Sequence, residues 1–314
     1  MLKELEQRID QLQSQLEQIQ PKTEVEKLEY KQLYRDLQEL KKAYHPRTAA
    51  DKVYLARHPM RPNINDYIDA LFTDFFECKG DRLCKDDGSI VGGVGIFHGM
   101  AVTVIGHKKG RTLQENLACN FGMPGPEGYR KALRLMKQAE KFGRPIITFI
   151  DTPGAYPGKE AEEHGQAEAI ARNLAEMSTL AVPIISIVTG EGSSGGALAL
   201  GVADTVLMLE HSIYAVLSPE GFASILWKDS SRWDDAAQQM KLTAQDLMQL
   251  GLIDGIIPEP FGGAHNHPEV LFETVDTELY TQLKKLCKIR PAALTASRYQ
   301  KFRNMGNLMQ EESL

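Results

Sequence analysis

Two glycine-rich turns constrain the fold of this chain more than any other feature of its sequence. The first, residues 151–158, reads Asp-Thr-Pro-Gly-Ala-Tyr-Pro-Gly, and the second, residues 190–197, reads Gly-Glu-Gly-Ser-Ser-Gly-Gly-Ala. Each follows a short apolar run, at 146–150 and 184–189, and each leads into a helical pattern. Strands that end in a glycine turn and enter a helix, repeated one βα unit apart, indicate an α/β fold with parallel strands.

Short β-rich runs continue along the chain after Pro62. They predict strands at residues 90–97, 101–105, 146–150, 184–189, 205–209 and 213–217. Apolar spacing predicts helices at residues 128–142 and 161–180, and residues 268–314 are expected to be mostly helical. Runs that are apolar throughout fit strands buried on both faces, so we expect one α/β core without a clean split.

The first 45 residues predict a helical hairpin. Apolar residues at a spacing of 3-4-3-4-3 form a heptad seam, which Pro21 ends: Leu2, Leu5, Ile9, Leu12, Leu16 and Ile19. A second amphipathic helix follows and closes at His45-Pro46. We expect residues 1–45 to form this hairpin and residues 46–314 the main domain. The hairpin either packs on its own domain or contacts another subunit, and the sequence leaves both interpretations open.

Composition excludes several classes of function. The chain is 42% hydrophobic and 25% charged, and its net charge of -6 does not favour nucleic acid as a partner. Its four cysteines contain no Cys-x-x-Cys pair, which argues against a zinc ribbon and favours reduced thiols. The chain shows no apolar signal region, and the apolar run at 197–203 is too short to span a bilayer. We therefore expect a cytoplasmic protein without a membrane partner.

The two glycine turns suggest a site built from backbone atoms. Glycine lets the backbone approach a ligand closely, and the first turn of a helix offers free N–H groups. Two such turns at the ends of neighbouring strands could aim donors at one oxygen atom and form an oxyanion hole. Glycines that only permit tight packing are the alternative, but the repeated placement favours the functional interpretation.

A serine hydrolase is a competing interpretation. Gly192-x-Ser194-x-Gly196 matches the nucleophile elbow, which needs a strand–turn–helix context. Asp254 and His265 follow in the chain order that a hydrolase triad requires. A turn with two extra glycines suits a site of backbone N–H donors better than a site with one exposed hydroxyl nucleophile. The motif alone, however, does not exclude hydrolysis by Ser194. A non-catalytic scaffold that assembles a complex through its hairpin is a further alternative.

A basic segment stands out on this acidic chain. Lys108, Lys109 and Arg111 lead into further basic residues: Arg130, Lys131, Arg134, Lys137, Lys141 and Arg144. The segment is either a solvated helix face or a surface that attracts phosphate, as on coenzyme A, or a charged partner.

Longer motifs make the chain resemble one family, the α subunit of bacterial acetyl-CoA carboxylase carboxyltransferase. These are Gly80-Asp81-Arg82, residues 90–95 (Ile-Val-Gly-Gly-Val-Gly), residues 106–111, residues 120–134 (Asn-Phe-Gly-Met-Pro-Gly-Pro-Glu-Gly-Tyr-Arg-Lys-Ala-Leu-Arg), both glycine turns, residues 218–221 with Trp227-Lys228, residues 262–265 and Phe302-Arg303-Asn304. The resemblance covers nearly the whole chain and is weakest over the hairpin. It implies a crotonase-like spiral of ββα units, with the hairpin at the N-terminus and helices at the C-terminus.

The resemblance also implies an activity and partners. The expected reaction moves a carboxyl group from carboxybiotin, held by a biotin carboxyl carrier protein, to acetyl-CoA, giving malonyl-CoA for fatty acid biosynthesis. The expected partner is a carboxyltransferase β subunit in an α2β2 assembly, which carries the zinc ribbon that this chain lacks. The ATP-using biotin carboxylase would complete the complex, and no metal is expected in this chain.

Site residues carry over by motif. The resemblance implies that Gly195 and Gly196 donate backbone N–H groups to the ureido oxygen of biotin, which becomes negative as the carboxyl group departs. The freed biotin nitrogen would act as the base, so no protein base is expected. The facing turn would contribute Gly154, Ala155 and Gly158 as a wall or second donor.

Further residues are expected to bind the cofactor or the coenzyme: Tyr156, Ser194, Lys108, Lys109 and Arg111. The family usually has glycine where Ser193 stands. If that position requires a positive φ, the serine is expected to be strained.

Overall fold

One sheet organises the fold in the computed structural model, which describes residues 2–21 and 23–306. Its eight strands in that part of the chain are β1 (Thr73–Glu77), β2 (Ile90–Phe97), β3 (Met100–His107), β4 (Ile146–Thr152), β5 (Ile184–Ser193), β6 (Thr205–Leu209), β7 (Ile213–Ala215) and β8 (Gly255–Ile257). Their order is β1-β2-β3-β4-β5-β6-β8, and β7 pairs with the end of β5. The β1–β2–β3 edge is antiparallel, and the other pairs are parallel.

Helices surround this sheet. They are α1 (Leu2–Gln18), α2 (Glu24–Ala43), α3 (Ala49–Ala56), α4 (Ile64–Leu71), α5 (Leu113–Ala118), α6 (Pro126–Lys141), α7 (Lys159–Glu163), α8 (Gln166–Thr179), α9 (Ser194–Leu198), α10 (Pro219–Trp227), α11 (Trp233–Gln239), α12 (Ala244–Gln249), α13 (Pro268–Leu286) and α14 (Pro291–Asn304). Short 3-10 turns lie at Asn120–Gly122 and Ser230–Arg232. Side-chain capping boxes begin α2, α3, α4 and α5, and each such cap stabilises a helix by about 1 kcal/mol.

The buried strands separate two hydrophobic layers. Side chains alternate between faces along β4, so Ile147 and Phe149 join the cluster under α4 and α13. Ile146 and Ile150 join the opposite cluster, which packs against α6 and α12. Every residue of β4 and β5 is buried, as the continuous apolar runs predict.

The predicted strands and helices are present in this structure with differences in extent, and several elements had no sequence prediction, among them helices α3, α4, α5, α10, α11 and α12. Strands β1 and β8 had no sequence prediction, and the strand expected at 213–217 ends at Ala215. The helix expected at 161–180 is split into α7 and α8, because Gly165 adopts a left-handed φ of 84° between them. The C-terminal residues form α13 and α14 as expected, while residues 307–314 lie outside the described part.

The N-terminal hairpin packs on its own chain. Apolar residues of α1 and α2 form one buried cluster with Leu55 of α3. The Glu6 carboxylate lies 3.0 Å from His58 Nε2 and 3.3 Å from His265 Nε2, and it accepts the Tyr54 hydroxyl. This contact fits the first of the two interpretations of the hairpin; a contact of the hairpin with another subunit stays a prediction. Across the described residues, no helix has both the length and the apolarity to cross a bilayer.

Candidate functional site

The parallel pairing of β4 and β5 places the two glycine turns side by side. Ile150 pairs with Val188 and Thr152 with Gly192, so both turns begin at the carboxyl ends of neighbouring strands. A Cβ atom added to Gly196 would lie 2.7 Å from the backbone nitrogen of Ala155, where ordinary contact needs 3.4–4 Å. The two turns therefore touch through their backbones, and only glycine fits between them.

Hydrogen bonds fix the first turn. Thr152 Oγ1 lies 2.6 Å from the carbonyl oxygen of Gly122 and accepts the N–H of Gly154 at 3.0 Å. Gly154 has a φ of 138°, a conformation that side chains rarely adopt. The N–H of Tyr156 donates to the Pro124 carbonyl at 3.0 Å. The backbone that faces Gly196 is thus held before any ligand arrives.

In the second turn, the residue with an unusual backbone conformation is Ser194, whereas the expectation concerned Ser193. Ser193 has a φ of -116°, an ordinary extended value, so the expectation of strain there is wrong. Ser194 instead has a φ of 57°, and left-handed backbone costs a non-glycine residue about 1–2 kcal/mol. The N–H groups of Gly195 and Gly196 follow in the first turn of α9, where a helix provides no acceptors of its own.

The remaining predicted residues of the two turns form one surface. Gly154 and Gly196 are buried at its base, Ala155, Gly158 and Gly195 are half-buried, and Ser194 and Tyr156 are exposed. The structure brings these residues together as the sequence suggested for the turns. Their arrangement offers backbone donors and a hydroxyl, but no carboxylate or imidazole among them to act as a general base.

An ion-pair network that the sequence did not predict lies beneath the second turn. Asp151 accepts the N–H of Glu191 at 2.9 Å and the Lys109 ammonium at 2.7 Å. Glu191 accepts the Arg57 guanidinium at 2.7 Å, and Arg57 also binds Glu220 at 2.7 Å. Burial opposes ionisation of Arg57, but Glu220 and Glu191 outweigh it and raise its pKa. A buried glutamate inside a glycine turn was the available signal, because such a charge requires a partner.

The side chains of the basic segment differ in their partners and burial, and phosphate binding by them stays a prediction. Lys109 points inward to Asp151, and Arg111 pairs with Asp66 at 2.6 Å. Lys108 has no ion-pair partner within the described ranges. Farther along, Lys131 is buried and binds Asp86 at 2.7 Å, so this part of the segment is structural. A cavity of about 180 Å³ beside Asp151 is lined by residues that include Arg57, Arg61, Lys109 and Arg111.

Two buried polar side chains near Gly196 have no well-aligned hydrogen-bond partner in the described part of the chain. The Tyr129 hydroxyl would lie 3.0 Å from a Cβ atom on Gly196, and burial raises its pKa, so it stays protonated. The ring nitrogens of His107, at the end of β3, make no well-aligned hydrogen bond in that part of the chain, although the backbone of Phe149 and of Gly196 lies close to the ring. Burial lowers the pKa of His107 to about 4, against an opposing effect of Asp151, so the ring is neutral near pH 7.

The structure does not support a serine hydrolase. Asp254 accepts the N–H of Val206, which pairs with Ser186 near the start of β5. Ser194 follows β5 eight residues beyond Ser186, about 26 Å away at a strand rise of about 3.3 Å per residue. His265 is stacked on another histidine next to α1, with a ring separation of 3.8 Å. The expected triad is therefore not assembled, because its acid lies at the opposite end of the sheet.

Known proteins are similar to this sequence over most of its length. A family model described as acetyl co-enzyme A carboxylase carboxyltransferase-like matches residues 1–306. The acetyl-coenzyme A carboxylase carboxyl transferase subunit alpha of Anoxybacillus flavithermus is 59% identical over 262 residues, covering 83% of this chain and 81% of that protein. The protein of the same name from Geobacillus thermodenitrificans is 57% identical over 287 residues, covering 91% and 87%.

Solved structures share the fold at low identity. A transcarboxylase 12S structure superimposes with a TM-score of 0.61 and 18% identity, covering 79% of this chain and 46% of that one. The chain thus spans about half of the transcarboxylase chain. A chain of a Pseudomonas malonate decarboxylase hetero-tetramer, in complex with coenzyme A, gives a TM-score of 0.57 and 16% identity, covering 72% and 92%. These likenesses confirm the predicted crotonase-like α/β fold.

Proposed function

The chain belongs to the acetyl-coenzyme A carboxylase carboxyltransferase family, and from that premise we propose how its two glycine turns take part in carboxyl transfer. Its function is that of the alpha subunits it resembles: transfer of a carboxyl group to acetyl-CoA, which gives malonyl-CoA for fatty acid biosynthesis. The contact between Gly196 and the Gly154–Ala155 backbone is the observation that supports a shared site on the two turns.

The residues of the two turns fit a small polar ring such as the ureido group of biotin. Backbone N–H groups of Gly195 and Gly196 lie at the start of α9, next to the accessible Ser194 and Tyr156. Carboxybiotin, presented by a separate carrier protein, would supply the carboxyl group here, and the N–H groups of Gly195 and Gly196 would be the donors nearest to its ureido oxygen. Donation from these backbone groups stabilises negative charge at that oxygen, an effect that typically contributes about 3–4 kcal/mol per donor.

The other predicted site residues take supporting roles in this proposal. Gly154, Ala155 and Gly158 form the wall that faces the donors, and the Tyr156 ring covers Gly158. The wall excludes water from one side of the bound ring and fixes its orientation. Rigid donors need no reorganisation during the reaction, which is why backbone groups held by two strands suit this task.

Coenzyme binding is assigned to the outer part of the basic segment. Lys108 has no ion-pair partner among residues 2–21 and 23–306, and the Arg111 side chain is 44% exposed. Lys109 acts differently, because its ammonium is held between Asp151 and Glu191 at 2.7 and 3.7 Å. Lys108 and Arg111 would contact coenzyme A phosphates, while Lys109 supports the second turn.

A second subunit completes the proposed site. The alpha-subunit name of the relatives implies a β subunit, and we propose an α2β2 assembly that works with a biotin carboxyl carrier protein and biotin carboxylase. Co-expression with a β subunit, followed by measurement of carboxybiotin-dependent malonyl-CoA formation, tests this. Both subunits together should be active and each alone inactive. Full activity from this chain alone would refute the shared site.

A further inference from the structure

Three side chains with metal-binding atoms converge close to the first glycine turn. They are Cys84, Glu127 and His164, and their sulfur, carboxylate and ring-nitrogen atoms lie within 4.8 Å of one another. His164 Nδ1 is 2.9 Å from Glu127 Oε1. The three residues come from the loop before β2, the first turn of α6 and the residue after α7.

One arginine holds the three segments together. Arg130 Nε donates to Asp81 at 2.9 Å, and Asp81 accepts the N–H of Cys84 at 2.8 Å. The same guanidinium lies 3.3 Å from Glu127 and donates to the carbonyl of His164 at 2.9 Å. The ligand atoms are therefore positioned before a metal arrives, which lowers the cost of binding.

The spacing and chemistry of this cluster suit a tetrahedral cation. Zinc lies about 2.0–2.1 Å from nitrogen and about 2.3 Å from sulfur, so its ligand atoms are roughly 3.3–3.6 Å apart. The observed separations are 2.9 Å for one pair and at most 4.8 Å for the others, so they differ from the tetrahedral values by no more than about 1.5 Å. A thiolate and a carboxylate would neutralise a divalent charge, while Asp81 balances Arg130.

Access is open on one side of the cluster. Cys84 is exposed and the His164 side chain is 37% exposed, whereas the Glu127 side chain is only 4% exposed. A cation could therefore enter from solvent and reach the buried carboxylate. Soft sulfur together with imidazole favours zinc-like ions over magnesium or calcium, which prefer oxygen.

We propose that Cys84, Glu127 and His164 bind a divalent transition-metal cation of the zinc class, with a fourth position open to water. This departs from the sequence-based expectation of no metal in this chain. The site is separate from Gly195 and Gly196, so it stands or falls independently of the proposed carboxyl transfer. Gln166, two residues after His164, donates to the Tyr156 carbonyl at 3.0 Å, so a metal that fixes the His164 segment would also brace the first turn.

Cobalt(II) titration of the full-length chain tests the proposal. The reduced, chelator-treated protein should develop a thiolate-to-cobalt charge-transfer band and the visible absorption of a tetrahedral site, both of which zinc should remove by displacement. Cys84→Ser should abolish the charge-transfer band, and His164→Ala should weaken cobalt affinity by more than about tenfold. Cys287→Ser is the matched control, because Cys287 is an exposed cysteine outside the cluster.

The outcomes separate the alternatives cleanly. Loss of the band in Cys84→Ser and its retention in Cys287→Ser support the site. Absence of a cobalt–thiolate band in the wild-type chain, or its survival in Cys84→Ser, overturns it. Thermal melting without metal checks that Cys84→Ser and His164→Ala are folded. If all variants melt at the same temperature, the differences in cobalt binding are due to the replaced ligands.

Discussion

Replacing Gly196 with alanine should push the two glycine turns apart and disable carboxyl transfer, whereas the same change at Gly195 should be tolerated. A Cβ atom on Gly196 would lie 2.7 Å from Ala155 N and 2.7 Å from the carbonyl carbon of Gly154. Because both neighbours are backbone atoms, they cannot rotate away. The nearest atom to a Cβ on Gly195 is a methyl carbon of Ile170 at 3.4 Å, an ordinary contact.

The expected size of the effect follows from these distances. Ordinary contact begins at 3.4 Å, so the turns would separate by 0.7 Å (3.4 minus 2.7). Overpacking of this kind costs about 1–3 kcal/mol of stability. A displacement approaching 1 Å at a reacting centre lowers rate about 100-fold, equivalent to about 2.7 kcal/mol of barrier. Neither glycine has a left-handed φ, so backbone strain does not distinguish the two variants.

The assay is malonyl-CoA formation by the variant chain together with its β subunit. Gly196→Ala should lower kcat by about 100-fold with a small change in the KM for acetyl-CoA, and Gly195→Ala should stay within about tenfold of wild type. Melting curves identify any variant that fails to fold. Comparable activity of Gly196→Ala and wild type, or an equal loss in both variants, would show that the contact between the turns does not set the reaction geometry.

Three further predictions concern single residues. Ser194→Ala should keep carboxyl transfer within about tenfold of wild type, because backbone donors remain; loss of nearly all activity would require the hydroxyl. A histidine in the unfolded chain has a pKa of about 6.5, whereas the pKa of His107 is about 4 in the folded chain. The free energy of unfolding should therefore fall by about 1.4 kcal/mol per pH unit as pH drops from about 6.5 towards 4. In urea unfolding at several pH values, the free energy of unfolding of His107→Gln should depend on pH with a shallower slope. An unchanged slope would contradict this. Arg298→Met should lower the free energy of unfolding by about 3–5 kcal/mol, because it leaves Asp204 buried and unpaired. The exposed Arg303→Met is its control and should change stability by less than about 0.5 kcal/mol; equal losses would place the effect outside the buried pair.

The sequence by itself determined the strand–turn–helix units and their order. Apolar runs predicted β4 and β5, and the glycines marked where each strand turns into its helix. These features are local, since strand pattern and glycine conformation depend on neighbouring residues. The family resemblance then assigned the activity, which the comparisons confirm.

Only the tertiary structure decided which distant groups meet. The contact between Gly196 and Ala155 depends on the register of β4 and β5, and the pairing of Arg57 with Glu191 joins residues 134 positions apart. Strand β8 forms because β6 offers an edge, and the Cys84 cluster unites three separate segments. The sequence therefore predicted that each glycine turn exists, while packing determined that the two turns touch. The physical reason is that such contacts follow from sheet register and side-chain packing, which no short pattern in the sequence encodes.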